Sequence, residues 1–320
     1  MTLRTVFGML SPAGAKARLS VLIFHRVHAR RDALFPREPD AEAFAALVQQ
    51  LARWCNIMPL DEAIRRLREQ TLPPRPLCIT FDDGYADNCN VALPVLRRFG
   101  VPATFFVATG YLDGGRMWND TVIESIRSTS VPALDLADLD AGVHALDSVE
   151  ARQAAIAGVL VKFKYLPNAE REAMAAAVAE RASASLPTDL MMTADQVREL
   201  HRAGMTMGAH TVTHPILART ADAIARTEIA ESKQRLEEIV GERVRIFAYP
   251  NGRPRQDYGS AHVQMVRDAG FDAAVSTAWG VASSASDVFQ IPRFTPWDNE
   301  RWRFGIRLAQ NLRRTEYAQV

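Results

Sequence analysis

Thr80-Phe81-Asp82-Asp83-Gly84-Tyr85 decides how the rest of this 320-residue chain is read. The apolar run before it, Leu77-Cys78-Ile79, has the content of a buried strand. Neighbouring side chains of a strand point to opposite faces. Two adjacent carboxylates therefore belong just past its last paired residue, where Gly84 loosens the backbone. Like charges this close repel, and one of the pair resists ionisation unless a cation lies between them. A metal ion that takes one carboxylate and leaves the other free as a base resolves that conflict.

On either side of this run, short apolar strands alternate with amphipathic helices. Strands are expected at Ser20–Phe24, Ala103–Val107, Met205–Ala209, Val244–Tyr249, Ala273–Thr277 and Phe289–Phe294. Helices are expected from Asp40, with Phe44, Leu47, Val48 and Leu51 on one face, and over Asp61–Glu69 and Asn90–Phe99, the last ended by Gly100. Further helices read at Thr193–Ala203, opened by a Thr193/Gln196 capping box, at Ala221–Val240 and at about Ser260–Ala269. Such alternation implies an α/β protein with a mostly parallel sheet or barrel. The stretch from about 120 to 190 breaks the rhythm: it is rich in Ala, Glu and Arg, with helix starts at Asp147-Ser-Val-Glu150 and at Asn168-Ala-Glu170 after Pro167. It reads as a helical insertion in one domain of 1–320, with too few large apolar residues for a core of its own.

Thirty-eight basic against 37 acidic residues leave almost no net charge, so composition points to no nucleic acid partner. The three cysteines, Cys55, Cys78 and Cys89, have no metal-like spacing, and their low, odd number fits a reducing compartment. No run is long and apolar enough to span a membrane. Val6 to Leu10, broken by Gly8 and followed by Ser11-Pro12, is too short for a signal peptide. A cytoplasmic protein is expected. Its basic ends, 1–19 and 298–320, the latter mixing Trp302, Phe304, Ile306 and Leu308 with arginines, suit peripheral membrane contact or docking on the barrel.

A second polar constellation follows another strand: His210-Thr211-Val212-Thr213-His214-Pro215. Pro215 disfavours helical backbone at His214, so the histidines belong to a tight loop. Neutral imidazoles at this spacing suit a divalent transition metal. One carboxylate and two histidines leave coordination positions open for water and substrate, as in catalytic sites. Five strand ends deliver His25, Asp82/Asp83, His210/His214, Asn251 and Arg293 to one rim, the face where parallel barrels place their chemistry. Each has an ordinary alternative when taken singly: a hydrogen-bonded core histidine, a turn at Asn251-Gly252, a salt bridge at Arg293.

Together, TFDDGY, HTVTH, the YPNG loop at Tyr249 to Gly252 and PVLRRFGVPATFFV resemble the polysaccharide deacetylases of the NodB-homology type, carbohydrate esterase family 4. The resemblance covers about residues 20–119 and 193–294. It implies a distorted (β/α)7 barrel, a divalent metal, often zinc, and hydrolysis of the N-acetyl group of an N-acetylhexosamine in an acetylated amino-sugar glycan. It further implies Asp82 as general base, Asp83, His210 and His214 as metal ligands, Thr211 or Thr213 as loop supports, and the backbone N–H near Asn251 as an oxyanion donor. The chain departs from the pattern where the family often carries an Arg-Pro-Pro-Tyr-Gly loop, and Arg293 is the candidate to replace that arginine. No histidine follows His262, so the family's late acid is missing, and Phe24-His25-Arg26-Val27 makes His25 the candidate acid, with His28 behind it. Tyr85, Tyr249, Trp118 with Asn119-Asp120, and Trp297 are candidates for a sugar site, as is Trp279. An O-acetyl esterase, a small-amide amidohydrolase and an inactive carbohydrate-binding relic are the competing readings.

Overall fold

The computed structural model of the chain describes residues 2–295 and 300–320. Strands β1 (Ser20–Phe24), β2 (Asn56–Ile57), β3 (Pro76–Phe81), β4 (Thr104–Val107), β5 (Ala133–Leu136), β6 (Gly142–Ala145), β7 (Thr206–Ala209), β8 (Ile246–Ala248) and β9 (Ala273–Val275) appear in chain order. Seven of them form one parallel sheet, ordered β1-β3-β4-β7-β8-β9 with β2 beside the start of β3. Helices α1 (Leu3–Leu10), α2 (Ala41–Trp54), α3 (Leu60–Arg68), α4 (Leu93–Phe99), α5 (Trp118–Ser128), α6 (Val149–Phe163), α7 (Asn168–Ala182), α8 (Ala194–Arg202), α9 (Asp222–Val240), α10 (Ser260–Asp268) and α11 (Arg301–Asn311) surround it. The result is a distorted (β/α) barrel. Local chemistry sets the helix starts: Asp40 accepts from the Ala43 N–H, Ser148 from that of Ala151, and Thr193 and Gln196 complete their reciprocal box.

The sheet is closed by segment 289–294, which the sequence reads as a strand. It pairs only through two isolated parallel bridges, Val275 with Ile291 and Leu22 with Phe294. Pro292 brings no N–H to a ladder, and the Arg293 N–H goes to Ala278 O instead. Side-chain alternation divides the core in two. Val21, Cys78, Phe106, Ile246, Ala248, Val275 and Ile291 cluster with α3, whereas Leu22, Phe24, Ile79, Phe81, Phe105, Phe247 and Tyr249 pack with α2, α4 and their neighbours. Phe81 stacks on Phe105 at 4.8 Å and on Phe24 at 5.4 Å, so β1, β3 and β4 are locked together one residue before the Asp pair. Truncating Phe81 would cost about 3–5 kcal/mol. Gly208 of β7 is required by space, because a Cβ there would lie 2.4 Å from the Phe106 ring.

The insertion differs from its sequence reading in two respects. Besides helices α5, α6 and α7 it holds an antiparallel hairpin, β5 paired with β6. Leu134 and Leu136 alternate inward while Ala133 and Asp135 face out, a period of two inside an otherwise helical composition. It also has its own apolar cluster, including Trp118, Val122, Ile126, Ile156, Val159, Phe163 and Val178. Buried alanines at 155, 175 and 182 contribute to this cluster, and their small side chains let the helices approach closely, so few large side chains suffice. Helix α11 docks through Phe304, Leu308 and Leu312 and leaves Trp302 and Ile306 exposed.

Candidate active site

Strand parity carries Cys78, Thr80 and Asp82 along one face, and Ile291 and Arg293 face them from the closing segment. Arg293 is fully buried. Its two terminal nitrogens donate to the two Asp82 oxygens at 2.7 Å each, its Nε donates to Ser276 O at 3.0 Å, and one terminal nitrogen also reaches Thr80 Oγ1 at 3.2 Å. Burial opposes the Asp82 charge, but the paired guanidinium outweighs it and holds the carboxyl below its usual range. Such a pair fixes orientation more than it stabilises, because desolvation cancels much of its attraction. Asp83, one residue on, turns away: its φ of 76° and the 95° of Gly84 bend the chain over the strand end.

The histidine loop follows β7 and is shaped by both threonines. Thr211 Oγ1 accepts from the His214 N–H at 3.1 Å. Glu228 of α9 accepts from the Val212 and Thr213 N–H groups at 2.8 Å each and from the Thr213 hydroxyl at 2.6 Å. Asp83, Thr211, His214 and Asn251 all take positive φ, so strained backbone collects here, at about 1–3 kcal/mol per residue. His210 donates Nδ1–H to Ala248 O at 2.7 Å, which leaves its Nε2 for the cavity.

Asp83 Oδ1 lies 3.5 Å from Nε2 of both His210 and His214, and those two nitrogens are 3.1 Å apart. Among the described residues, buried Asp83 Oδ1 has no hydrogen-bond partner. Donors about 2.0–2.1 Å from a tetrahedral zinc lie about 3.4 Å from one another. The three atoms therefore have the chemistry and the mutual spacing of a divalent metal site. Burial and then the adjacent charges set the two imidazoles apart. Burial pushes His214 down to about 3, whereas the Asp82 and Asp83 charges overcome burial at His210 and raise it. A neutral His214 is the form a metal needs.

These groups open into a cavity of about 390 Å³. His25, exposed beyond β1, lines it, as do Asn251, whose carbonyl accepts from the Thr277 hydroxyl at 2.8 Å, and Trp118. Tyr85 lines it as a buried residue, with Arg26 4.7 Å over its ring and its hydroxyl 3.0 Å from Asp120 Oδ1. Tyr249 does not reach the cavity, contrary to its expected place in a sugar site. It is fully buried, stacked on Tyr258 at 3.8 Å and bonded to Phe289 O, because alternation along β8 turns it to the helix side with Phe247. Trp297 lies outside the described residues. His28 is tied to Glu38 at 2.6 Å, and Trp279 packs near Phe294 and Arg314.

Asn119 and Asp120, read with Trp118 as sugar-site candidates, line the cavity, whereas three groups at this site went unread in the sequence: Arg171, Glu228 and the Arg26–Asp87 pair, 2.7 Å apart. Glu228 had a signal, since it falls on the face of α9 that buries Ala225, Ile229, Ser232 and Leu236. Asp120 is buried with Oδ2 unpartnered, and burial raises its carboxyl to about 7. Arg171 arrives from α7 of the insertion.

The family model described as polysaccharide deacetylase matches residues 69–274, so the chain belongs to that family. YxkH of Bacillus subtilis (strain 168), whose name carries the same family, is 19% identical over 277 residues, covering 87% of this chain and 71% of that protein. Two solved structures share the fold. Streptococcus pyogenes deacetylase PplD, in complex with acetate, superposes with a TM-score of 0.61 at 20% identity, covering 92% of this chain and 98% of that one. IcaB from Ammonifex degensii does so at 0.59 and 18%, covering 94% and 98%.

Proposed function

We propose that this member of the polysaccharide deacetylase family hydrolyses the carbon–nitrogen bond of the N-acetyl group on an N-acetylhexosamine, in a polysaccharide or its lipid-linked precursor. The observation that carries the reading is the buried Asp82–Arg293 pair set beside the Asp83/His210/His214 donors at one cavity. A divalent cation on those donors, zinc among the ions they suit, supplies Lewis acidity at the acetyl carbonyl and eases ionisation of a water.

Asp82 takes the proton of the attacking water. Arg293 keeps it ionised and aimed, and each of its oxygens retains a second lone pair. The Asn251 backbone N–H, steadied by the Thr277 bond to its carbonyl, meets the charge developing on the acetyl oxygen. His25 at the cavity wall protonates the amine as the bond breaks, since an unprotonated amine leaves poorly. Acetate and a free amino sugar result.

Acetate release from N-acetylglucosamine oligosaccharides, measured with bound-metal analysis on wild type and His25→Ala, tests this. The variant should keep its metal and lose about 100-fold or more in turnover. Acetate from O-acetyl esters or small amides, but none from the oligosaccharides, would replace the reading with an esterase or amidohydrolase. Oligosaccharide binding with neither metal nor acetate would leave a carbohydrate-binding relic. The proposal extends to a cytoplasmic, membrane-peripheral location through exposed Trp302, Ile306 and Met9 on α11 and α1, which pack together beside Arg303. Failure to sediment with anionic liposomes at low salt would end that extension.

A further inference from the structure

We infer that the insertion gives the cavity an oxyanion subsite, built on Arg171 and Lys164, which takes a negatively charged substituent of the glycan: a carboxylate or a phosphate. The inference rests on the deacetylase reading for the identity of the glycan, and on the charges around the cavity for the subsite.

Most charged groups lining the cavity are already matched. Arg26 is held by Asp87 at 2.7 Å, Glu38 by His28 at 2.6 Å, and Asp82 by Arg293. Asp83 faces two imidazoles, and Asp120 accepts the Tyr85 hydroxyl in a setting that favours its neutral form. Arg171 and Lys164, both lining the cavity from the insertion, remain.

Arg171 is 2% exposed. One terminal nitrogen donates to Lys164 O at 3.3 Å, the other to Asn168 Oδ1, and the guanidinium lies 5.0 Å from the Trp118 ring centroid. Among the described residues its Nε has no hydrogen-bond partner and no carboxylate oxygen lies within 4 Å of its guanidinium. Glu172, the next residue on α7, acts on it only at longer range. Helix capping explains two of its five N–H groups and none of the buried charge. An uncompensated buried cation is costly, and an anion entering the cavity would remove that cost. Lys164 is half-buried, and among the described residues no carboxylate oxygen lies within 4 Å of its ammonium. Burial lowers its proton affinity, Asp257 opposes that, and Arg253 and Arg171 add to it.

The subsite also adjoins the reacting centre. Asn168, which holds Arg171, reaches Thr213 Oγ1 of the histidine loop at 3.5 Å. A substituent on the acetylated sugar or its neighbour can therefore meet the guanidinium while the acetamide sits at Asp83.

Three trisaccharides of N-acetylglucosamine test the proposal on the metal-loaded enzyme: one neutral, one with a reducing-end phosphate, one with a neighbouring uronic acid. Binding is read by calorimetry and acetate release by kinetics, in wild type, Arg171→Gln and Lys164→Gln. Wild type should prefer one anionic substrate over the neutral one by about 10- to 100-fold, mainly in Kd and KM. Each substitution should cut that ratio several-fold, and Lys164→Gln gives the answer if Arg171→Gln does not fold. The preferred arm identifies the oxyanion. Equal binding of neutral and anionic substrates, or a preference that survives both substitutions, overturns the subsite. Preferential binding without acetate release would instead sink the deacetylase reading and leave the subsite standing.

Discussion

On the barrel side of the cavity, Arg293 meets both oxygens of Asp82 at 2.7 Å and donates as well to Ser276 O and Thr80 Oγ1. On the insertion side, Arg171 is as deeply buried but meets a backbone carbonyl, an amide oxygen and an indole face. A matched pair holds a geometry that must not change during turnover, which is what a base and its orienting cation require. An unmatched cation holds a position for something that comes and goes. Within one cavity, the wall that performs the proposed chemistry is closed on itself, and the wall built by the insertion is left open to a ligand.

Substitutions on the barrel wall should have the larger effects. Asp83→Ala and His214→Ala should lose bound metal and activity together, whereas Asp82→Asn should retain metal by elemental analysis and lose about 10²- to 10⁴-fold in turnover. An Asp82→Asn enzyme with near wild-type turnover would break the division of labour between the two carboxylates. Arg293→Ala leaves Asp82 charged and buried without its guanidinium, and should cost about 3–5 kcal/mol in denaturant unfolding. A loss below about 1 kcal/mol would mean that the pair is not closed on itself.

The smallest effect belongs to Asp120, which stands between the two walls. Burial raises its carboxyl from the ordinary 3.8 to about 7, so between those values the folded protein holds a proton that the unfolded chain has released. Its contribution to stability is whole below about pH 4 and drains as the pH climbs to about 7. Asp120→Asn can still accept the Tyr85 hydroxyl but does not titrate. It should match wild type near pH 4 and melt several degrees higher near pH 8, by calorimetry of the metal-loaded proteins. Parallel pH profiles for the two proteins would show that Asp120 is ionised throughout and belongs with the matched charges.

Much of the barrel could be read directly. β1, β3, β4 and β7 lie where apolar runs predicted them, the caps at Asp40 and Thr193 are local signals, and the start read at Asp147-Ser-Val-Glu150 is capped by Ser148. The segment 289–294 was harder, because a single proline reduces a strand to two bridges. The β5–β6 hairpin was hidden by the helical composition around it, and the insertion's core by alanines that fill space without looking apolar enough. Tyr249 was misplaced because it neighbours Asn251 in sequence, while strand alternation sends it to the other side of the sheet. Glu228 went unread, although its place among Ala225, Ile229 and Ser232 marked it as buried.

Residue types and spacing alone determined that two adjacent carboxylates end one strand, that two histidines occupy a loop after another, and that the strands between them run parallel. All of that is local: strand parity, the backbone restriction before Pro215, and the repulsion of neighbouring charges. Arg293 was one candidate among the strand-end residues; only the tertiary structure decided that it pairs with Asp82, 211 residues away, and that Arg171 has no carboxylate partner among the described residues. Whether a buried charge is matched depends on which distant side chains share its low-dielectric surroundings, and closure of the barrel and docking of the insertion set those surroundings.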